Sequence, residues 1–138
     1  MPKAIRIILV DDHQLVRESW QFLLNQDPLF QVIALCKDGI EAIEQASALL
    51  PDVMLMDINM SPVNGFDATQ KITETAPSVK VIGVSANNTL PYATKLISLG
   101  AKGFVTKTSP LAELKEAIQK VYKGEIYICH EVRKKSLE

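Results

Sequence analysis

Carboxylate, hydroxyl and ammonium side chains stand directly behind four short apolar runs of this sequence. They are Asp11 and Asp12, Asp57, Ser85, and Lys107. A short unbroken apolar run is typical of a strand buried on both faces, as in a parallel sheet covered by helices. Because the carboxyl ends of parallel strands share one edge of the sheet, where open α/β folds place their ligands, we expect these side chains to lie together.

The chemistry of this set points to a phosphoryl group. Carboxylates crowded at one place repel one another unless a hard cation neutralises them, and a site with few carboxylates and several waters suits Mg²⁺ or Mn²⁺. A hydroxyl and an ammonium beside them complement a tetrahedral anion. The Asp57 carboxylate is also a competent nucleophile for phosphorus and would form an acyl phosphate.

Each of these residues also has an ordinary structural interpretation. Asp12 alone would be a helix cap, Ser85 a loop hydroxyl, Lys107 a solvated charge and Asp57 a turn former. Their placement behind successive strands is what favours a joint site over four unrelated features.

Five apolar runs alternate with five segments of helical periodicity. The predicted strands cover 5–10, 30–36, 53–56, 79–84 and 102–106. This alternation predicts an α/β domain with right-handed crossovers and a parallel sheet between two layers of helices. Asp12 is expected to cap the first helix, and Ser109 the last, with Pro110 in its first turn.

The bulk composition agrees with one globular domain. The chain has 138 residues, 47% of them hydrophobic and 22% charged, with a net charge of −1 that gives no support for nucleic-acid binding by this segment. No apolar run reaches the roughly 20 residues of a membrane span, and no signal peptide precedes the first strand. Cys36 and Cys129 lack metal-ligand spacing and favour free thiols. We therefore expect a cytoplasmic protein.

Four motifs carry a resemblance to a known family, the receiver domain of bacterial two-component response regulators. They are Val10-Asp11-Asp12-His13, Leu55-Met56-Asp57-Ile58-Asn59-Met60, Val84-Ser85-Ala86, and Gly100-Ala101-Lys102-Gly103-Phe104-Val105-Thr106-Lys107. The resemblance covers residues 4–123. It implies a flavodoxin-like (βα)5 three-layer sandwich whose five-stranded parallel sheet has the order 2-1-3-4-5.

The resemblance also implies roles for individual residues. Asp57 would accept a phosphoryl group from a sensor histidine kinase. Asp12, Asp57 and the backbone carbonyl of Asn59 would bind the metal, and Asp11 would support it through water. Ser85 and Lys107 would contact the phosphoryl oxygens. Ser85 and the aromatic Phe104 would form the switch, and the chain would act as a signalling protein rather than an enzyme.

Finer features narrow the resemblance to the LuxR-type, NarL-like branch. These are Asp11-Asp12-His13-Gln14-Leu15-Val16-Arg17 and Gly124-Glu125-Ile126-Tyr127-Ile128. This branch implies transcriptional control through a helix-turn-helix domain that binds DNA, and it makes dimerisation on phosphorylation plausible. Residues 124–138 are then expected to begin a linker to a domain absent from this chain, and Leu137-Glu138 is consistent with a cloning scar. Thr108 stands where many receivers have proline, so the Lys107–Thr108 peptide is expected to be trans or strained.

Alternative functions are open to a test at particular residues. A stand-alone receiver that regulates a protein partner would lack the output domain. A magnesium-dependent phosphatase with an aspartyl nucleophile needs a second aspartate two residues on, where this chain has Asn59. A Rossmann nucleotide-binding domain needs a glycine-rich loop after the first strand, where Asp11, Asp12 and His13 stand.

Overall fold

A computed structural model describes residues 3–136 as alternating strands and helices. The strands are β1 Ile5–Val10, β2 Phe30–Cys36, β3 Val53–Asp57, β4 Lys80–Ser85, β5 Gly103–Thr106 and β6 Tyr127–Ile128. The helices are α1 Gln14–Asn25, α2 Gly39–Leu49, α3 Gly65–Thr75, α4 Leu90–Ser98, α5 Leu111–Tyr122 and α6 His130–Ser136.

The strands form one parallel sheet in the order β2-β1-β3-β4-β5-β6. The α/β class, the parallel pairing and the order of the first five strands are confirmed. The expectation of five strands is wrong, because β6 pairs with the outer edge of β5. Tyr127 N donates to Lys102 O at 3.0 Å and Cys129 N donates to Phe104 O at 2.9 Å.

The strand that carries Asp57 lies in the middle of the sheet, between β1 and β4. All five residues of β3 are buried, and their neighbours on β1 and β4 are mostly buried as well. The packing of the apolar run from Val53 to Met56 therefore fixes the position and direction of β3 within the sheet. It delivers one carboxylate to the carboxyl edge of the sheet.

The segment after Gly124 packs onto the domain instead of leading away from it. Cys129 and Val132 are fully buried, and the Glu113 carboxylate accepts hydrogen bonds from Tyr127 Oη at 2.6 Å and from His130 N at 2.7 Å. Whether this segment leads on to an output domain stays a prediction, as does the boundary at residue 123. Leu137 and Glu138 lie outside the described residues.

Two predicted helix caps are wrong. His13, not Asp12, occupies the N-cap position of α1, and Pro110, not Ser109, occupies that of α5. Asp12 lies with its carboxylate against the His13 ring, and Ser109 Oγ accepts a hydrogen bond from Thr106 N at 3.1 Å. Both side chains are thus engaged at the edge of the sheet, so they are not free to cap a helix.

The loop from β3 to α3 folds tightly back on the end of β3. It contains the cis peptide Ser61–Pro62, and Gly65 N donates to Ile58 O at 2.8 Å. A Cβ atom at Gly65 would lie 2.5 Å from Ile58 Cα and 2.6 Å from the backbone oxygen of Asp57. The close approach of these two backbone segments therefore requires glycine at this position.

Two further expectations concern the whole chain. Cys36 and Cys129 are buried free thiols, as expected, and burial raises the pKa of Cys36 to about 12. Within residues 3–136, no helix combines the length and the apolar character needed to cross a membrane.

Gly65→Ala tests whether the close approach behind Asp57 holds the site in shape. The added methyl group meets backbone atoms that cannot rotate away, so we expect a loss of about 1–3 kcal/mol in the free energy of unfolding. Urea denaturation measures it. Gln70→Ala, at an exposed position of the same helix, is the control and should change stability by no more than about 0.5 kcal/mol. Equal stability of the two variants would contradict this explanation.

Candidate functional site

Asp57 is the last residue of β3 and is only 1% exposed. Its Oδ1 accepts a hydrogen bond from Asn59 N at 3.1 Å. Its Oδ2 is buried and accepts no hydrogen bond from the part of the chain that the structure describes. A buried acceptor without a hydrogen bond is costly, so this oxygen is poised to bind a positively charged or electrophilic group.

Lys107 faces Asp57 from the end of β5. Its Nζ lies 3.4 Å from Asp57 Oδ2 and 3.9 Å from Asp11 Oδ2. The backbone of Lys107 is anchored as well, because its N–H donates to Ser85 O at 2.9 Å. The Lys107–Thr108 peptide is trans, the unstrained of the two predicted forms.

Asp11, Asp12, His13 and Asp57 form one acidic cluster. Each offers a ligand atom, and these atoms all lie within 4.8 Å of one another. Asp11 is fixed at the end of β1, where its Oδ1 accepts from His13 N at 2.9 Å and its carbonyl accepts from Arg17 Nη1 at 2.7 Å.

Burial raises the pKa of Asp57 above its ordinary value, and the charge of Asp11 raises it further. The Lys107 ammonium and the hydrogen bond from Asn59 N act in the opposite direction. The ionised carboxylate is therefore incompletely compensated by the protein. This imbalance, together with an Oδ2 atom that accepts no hydrogen bond in the described chain, fits a bound cation, and the three carboxylates of the cluster suit a hard divalent ion.

The two residues expected to act as a switch lie on neighbouring strands. Ser85 is fully buried, pairs in register with Thr106, and its Oγ accepts a hydrogen bond from Asn87 N at 3.0 Å. Phe104 is fully buried, and the ring of Tyr92 packs edge-on against it with 6.2 Å between centroids. Tyr92 Oη in turn donates to Asn59 Oδ1 at 3.3 Å, which joins α4 to the loop behind Asp57.

A cavity of about 20 Å³ lies beside Asp57 and holds no more than about one water. Asp11, Asp57, Arg17 and Trp20 are among its lining residues, and the rest are mainly apolar. The nucleophile therefore has a largely apolar wall on the side of this cavity, while Asp12, His13 and Lys107 are partly exposed to solvent.

Sequence reasoning missed three contributors to this site. His13 is exposed at the N-cap of α1, and its Nδ1 lies 2.9 Å from Asp12 Oδ1 and 3.1 Å from Asp11 Oδ1. Its position directly after two aspartates is a signal that could have indicated this. Arg17 lies one helical turn further on, so helical spacing could have placed it nearby. Nothing in the local sequence indicates the contact between Tyr92 and Asn59.

The arrangement combines a buried nucleophilic carboxylate, a facing ammonium and an acidic cluster suited to a cation. Negative charge that develops on an electrophile at Asp57 would be met by Lys107, and by a cation in the acidic cluster. Such a site can transfer a group to the carboxylate. It lacks the second aspartate two residues on that a phosphatase of the aspartyl-nucleophile class would use, because that residue is Asn59.

Comparisons with known proteins identify a family and relatives for this chain. Residues 7–119 match the response regulator receiver domain family. The chain is 38% identical over 128 residues to response regulator GacA of Pseudomonas viridiflava, covering 93% of this chain and 60% of that protein. It is 40% identical over 124 residues to transcriptional regulatory protein DegU of Brevibacillus brevis, covering 90% and 52%.

A solved structure resembles nearly the whole chain. It is a two-component response regulator of the LuxR family from Aurantimonas sp. SI85-9A1, with 30% identity and a TM-score of 0.90. The match covers 98% of this chain and 99% of that one. By contrast, the chain spans less than two thirds of the length of the GacA and DegU proteins.

Asp57→Asn tests the cost of the buried charge. The raised pKa means that the folded state retains a proton that the unfolded state releases, so stability from this group falls as pH rises above 3.8. In metal-free buffer at neutral pH we expect the variant to be more stable by about 1 kcal/mol, and the gain should vanish below pH 3.8. Urea denaturation at both pH values measures it.

Glu74→Gln, which neutralises an exposed carboxylate, is the control and should leave stability within about 0.5 kcal/mol of the original at both pH values. An Asp57→Asn variant that is less stable than the original chain at neutral pH would contradict the prediction.

Proposed function

The chain belongs to the response regulator receiver domain family of two-component systems, and from this membership we propose that Asp57 accepts a phosphoryl group from a sensor histidine kinase. The observation that carries the proposal is the buried Oδ2 of Asp57, which accepts no hydrogen bond within residues 3–136 and lies 3.4 Å from Lys107 Nζ. The Asp57 carboxylate is thus held in position, while its Oδ2 atom stays available to an electrophile.

The chemical step is an in-line transfer between two side chains. The bond from phosphorus to the imidazole nitrogen of a phosphohistidine breaks as a bond from phosphorus to a carboxylate oxygen of Asp57 forms. The electron pair leaves with the nitrogen, and the product is an acyl phosphate. Lys107 stabilises the charge on the transferring oxygens, and Ser85 donates its hydroxyl to one of them.

The acidic cluster supports a proposed metal site. Asp12, Asp57 and the backbone carbonyl of Asn59 would hold Mg²⁺ or Mn²⁺, with Asp11 acting through water. When bound, the ion supplies positive charge beside the phosphoryl oxygens. The contribution of the chain is to hold the carboxylates in place. For Asp11, His13 N donates a hydrogen bond to the carboxylate, and Arg17 Nη1 donates one to the backbone carbonyl.

The proposed output of the domain is transcriptional control. Among its relatives, DegU is described as a transcriptional regulatory protein, and the matched structure belongs to the LuxR family. We propose that DNA is bound by a further domain of the full protein and that phosphorylation promotes dimerisation. The reaction is placed in the cytoplasm, where a sensor kinase has access to ATP. The domain acts as a switch, not as a catalyst with turnover.

Labelling with a small phosphodonor tests the acceptor. Incubation with acetyl phosphate and Mg²⁺ should add a single acid-labile phosphoryl group, detected as one mass increment in the intact protein. Asp57→Asn should abolish the label, whereas Asp67→Asn, an exposed control, should retain it. A variant Asp57→Asn that is labelled like the original chain would overturn the assignment.

Lys107→Ala tests the role of the facing ammonium. Loss of one preorganised donor to a transferring group typically costs on the order of 100-fold in rate, so labelling should become that much slower without being abolished. Time-resolved mass spectrometry measures the rate. Lys123→Ala, an exposed lysine at the end of α5, should label at the original rate. An unchanged rate for Lys107→Ala would remove this residue from the mechanism.

A further inference from the structure

Helix α6 places one carboxylate against the two loops of the site. Glu131 Oε1 accepts hydrogen bonds from Thr106 Oγ1 at 2.9 Å and from Thr108 Oγ1 at 2.8 Å, and Glu131 Oε2 accepts one from Asn88 Nδ2 at 2.8 Å. We call these three hydrogen bonds the Glu131 latch. They cross 23 to 43 residues of sequence, so they are tertiary contacts rather than local ones.

The partners of the latch are neighbours of the proposed phosphoryl-binding side chains. Thr106 and Thr108 flank Lys107, and Asn88 lies three residues after Ser85 in the loop that leaves β4. One carboxylate thus ties together the loop that carries Ser85 and the loop that carries Lys107. Any rearrangement of either loop changes the geometry of the latch.

Helix α6 is held in this place by further contacts. It packs against α4 and β5, Val132 is fully buried, and Lys135 Nζ donates to Asn88 Oδ1 at 2.9 Å. The hydrogen bonds from Asn88, Thr108 and Thr106 lower the pKa of Glu131, which shows that the latch favours the ionised carboxylate. Asn88 is therefore bound at both ends of its amide by residues of α6.

The present position of the Ser85 hydroxyl indicates how binding at Asp57 would affect the Glu131 latch. Its Oγ accepts a hydrogen bond from Asn87 N, the residue directly before Asn88. If Ser85 turns toward phosphoryl oxygens, Asn87 N loses this acceptor and the loop must find a new arrangement. In this structure the latch is present together with the hydrogen bond from Asn87 N to Ser85 Oγ.

We propose that the Glu131 latch stabilises the unphosphorylated state and that phosphoryl binding at Asp57 releases α6 from α4 and β5. This inference rests on the proposed function. The segment after Gly124 is then the element that responds to phosphorylation, and the surface that α6 covers becomes accessible in the phosphorylated state.

Thermodynamic linkage gives the proposal two independent readouts. If binding at Asp57 opens the latch, then opening the latch must tighten binding at Asp57 by the same factor. Beryllofluoride with Mg²⁺ serves as the phosphoryl mimic, and its affinity is measured by ¹⁹F NMR titration. Amide hydrogen exchange of residues 130–136, with and without the mimic, reports the docking of α6.

Three variants remove different hydrogen bonds of the latch. Glu131→Ala should bind beryllofluoride at least about fivefold more tightly, a coupling at the low end of the usual range. Glu131→Gln keeps an acceptor for the two threonine hydroxyls and loses the acceptor for the Asn88 amide. Its affinity for beryllofluoride should therefore lie between those of the original chain and Glu131→Ala. Asn88→Ala breaks the latch from the other side. Combined with Glu131→Ala, it should add little to the effect of either change alone.

Glu125→Gln is the matched control, because this exposed carboxylate of the same segment has no side-chain partner within residues 3–136. It should bind with the original affinity. In the original chain the mimic should accelerate exchange over 130–136, and in Glu131→Ala exchange should be fast from the start. A thermal unfolding transition close to that of the original chain verifies that each variant is folded.

The outcomes separate the latch from the function on which it rests. If the original chain binds the mimic but exchange over 130–136 is unchanged, or slower, and Glu131→Ala binds within twofold of the original, the latch is overturned and the proposed function stands. If the original chain does not bind the mimic at all, the proposed function fails and the latch fails with it.

Discussion

The structure depends on the burial of one carboxylate at the end of an apolar strand. Transfer of the Asp57 charge out of water is unfavourable, as its raised pKa shows, and the chain only partly offsets this with Lys107 and one backbone N–H. That deficit gives the site its affinity for a cation or an electrophile. If the carboxylate were fully satisfied, the domain would be more stable and the proposed chemistry would be lost.

At this edge of the sheet, backbone hydrogen bonds as well as side chains hold Asp57 and the residues around it in position. Lys107 N donates a hydrogen bond to Ser85 O, Ile58 N donates one to Val84 O, and Asp11 N donates one to Cys36 O. Each site residue therefore sits on a strand end that is tied to its neighbour. In the proposed switch, the groups that move are the Ser85 hydroxyl, the loop from Asn87 to Thr89, and the helix that this loop contacts through Glu131.

Much of this could be predicted from the sequence, and what could not has physical reasons. Strand β3 can be predicted because every residue from Val53 to Met56 is apolar and the next residue is charged. The same pattern therefore indicates both the end of the strand and the site residue. Strand β6 is only two residues long, and α6 carries a cluster of charges, so neither shows a period that distinguishes it from a linker. The cap at Asp12 failed because propensity describes a residue in isolation, and here a competing contact with His13 decides. The contact between Glu131 and Thr106 depends on how distant segments pack, which no local pattern encodes.

The small cavity beside Asp57 has a consequence for observation. The chain contains a single tryptophan, and Trp20 lines the same cavity as Asp57 and Asp11. Indole emission depends on the electric field and the solvent around the ring, and both change when charge is added at the neighbouring carboxylate. The molecule therefore carries its own optical probe of the site, with no competing indole elsewhere in the chain. Its state can be followed in the unlabelled protein.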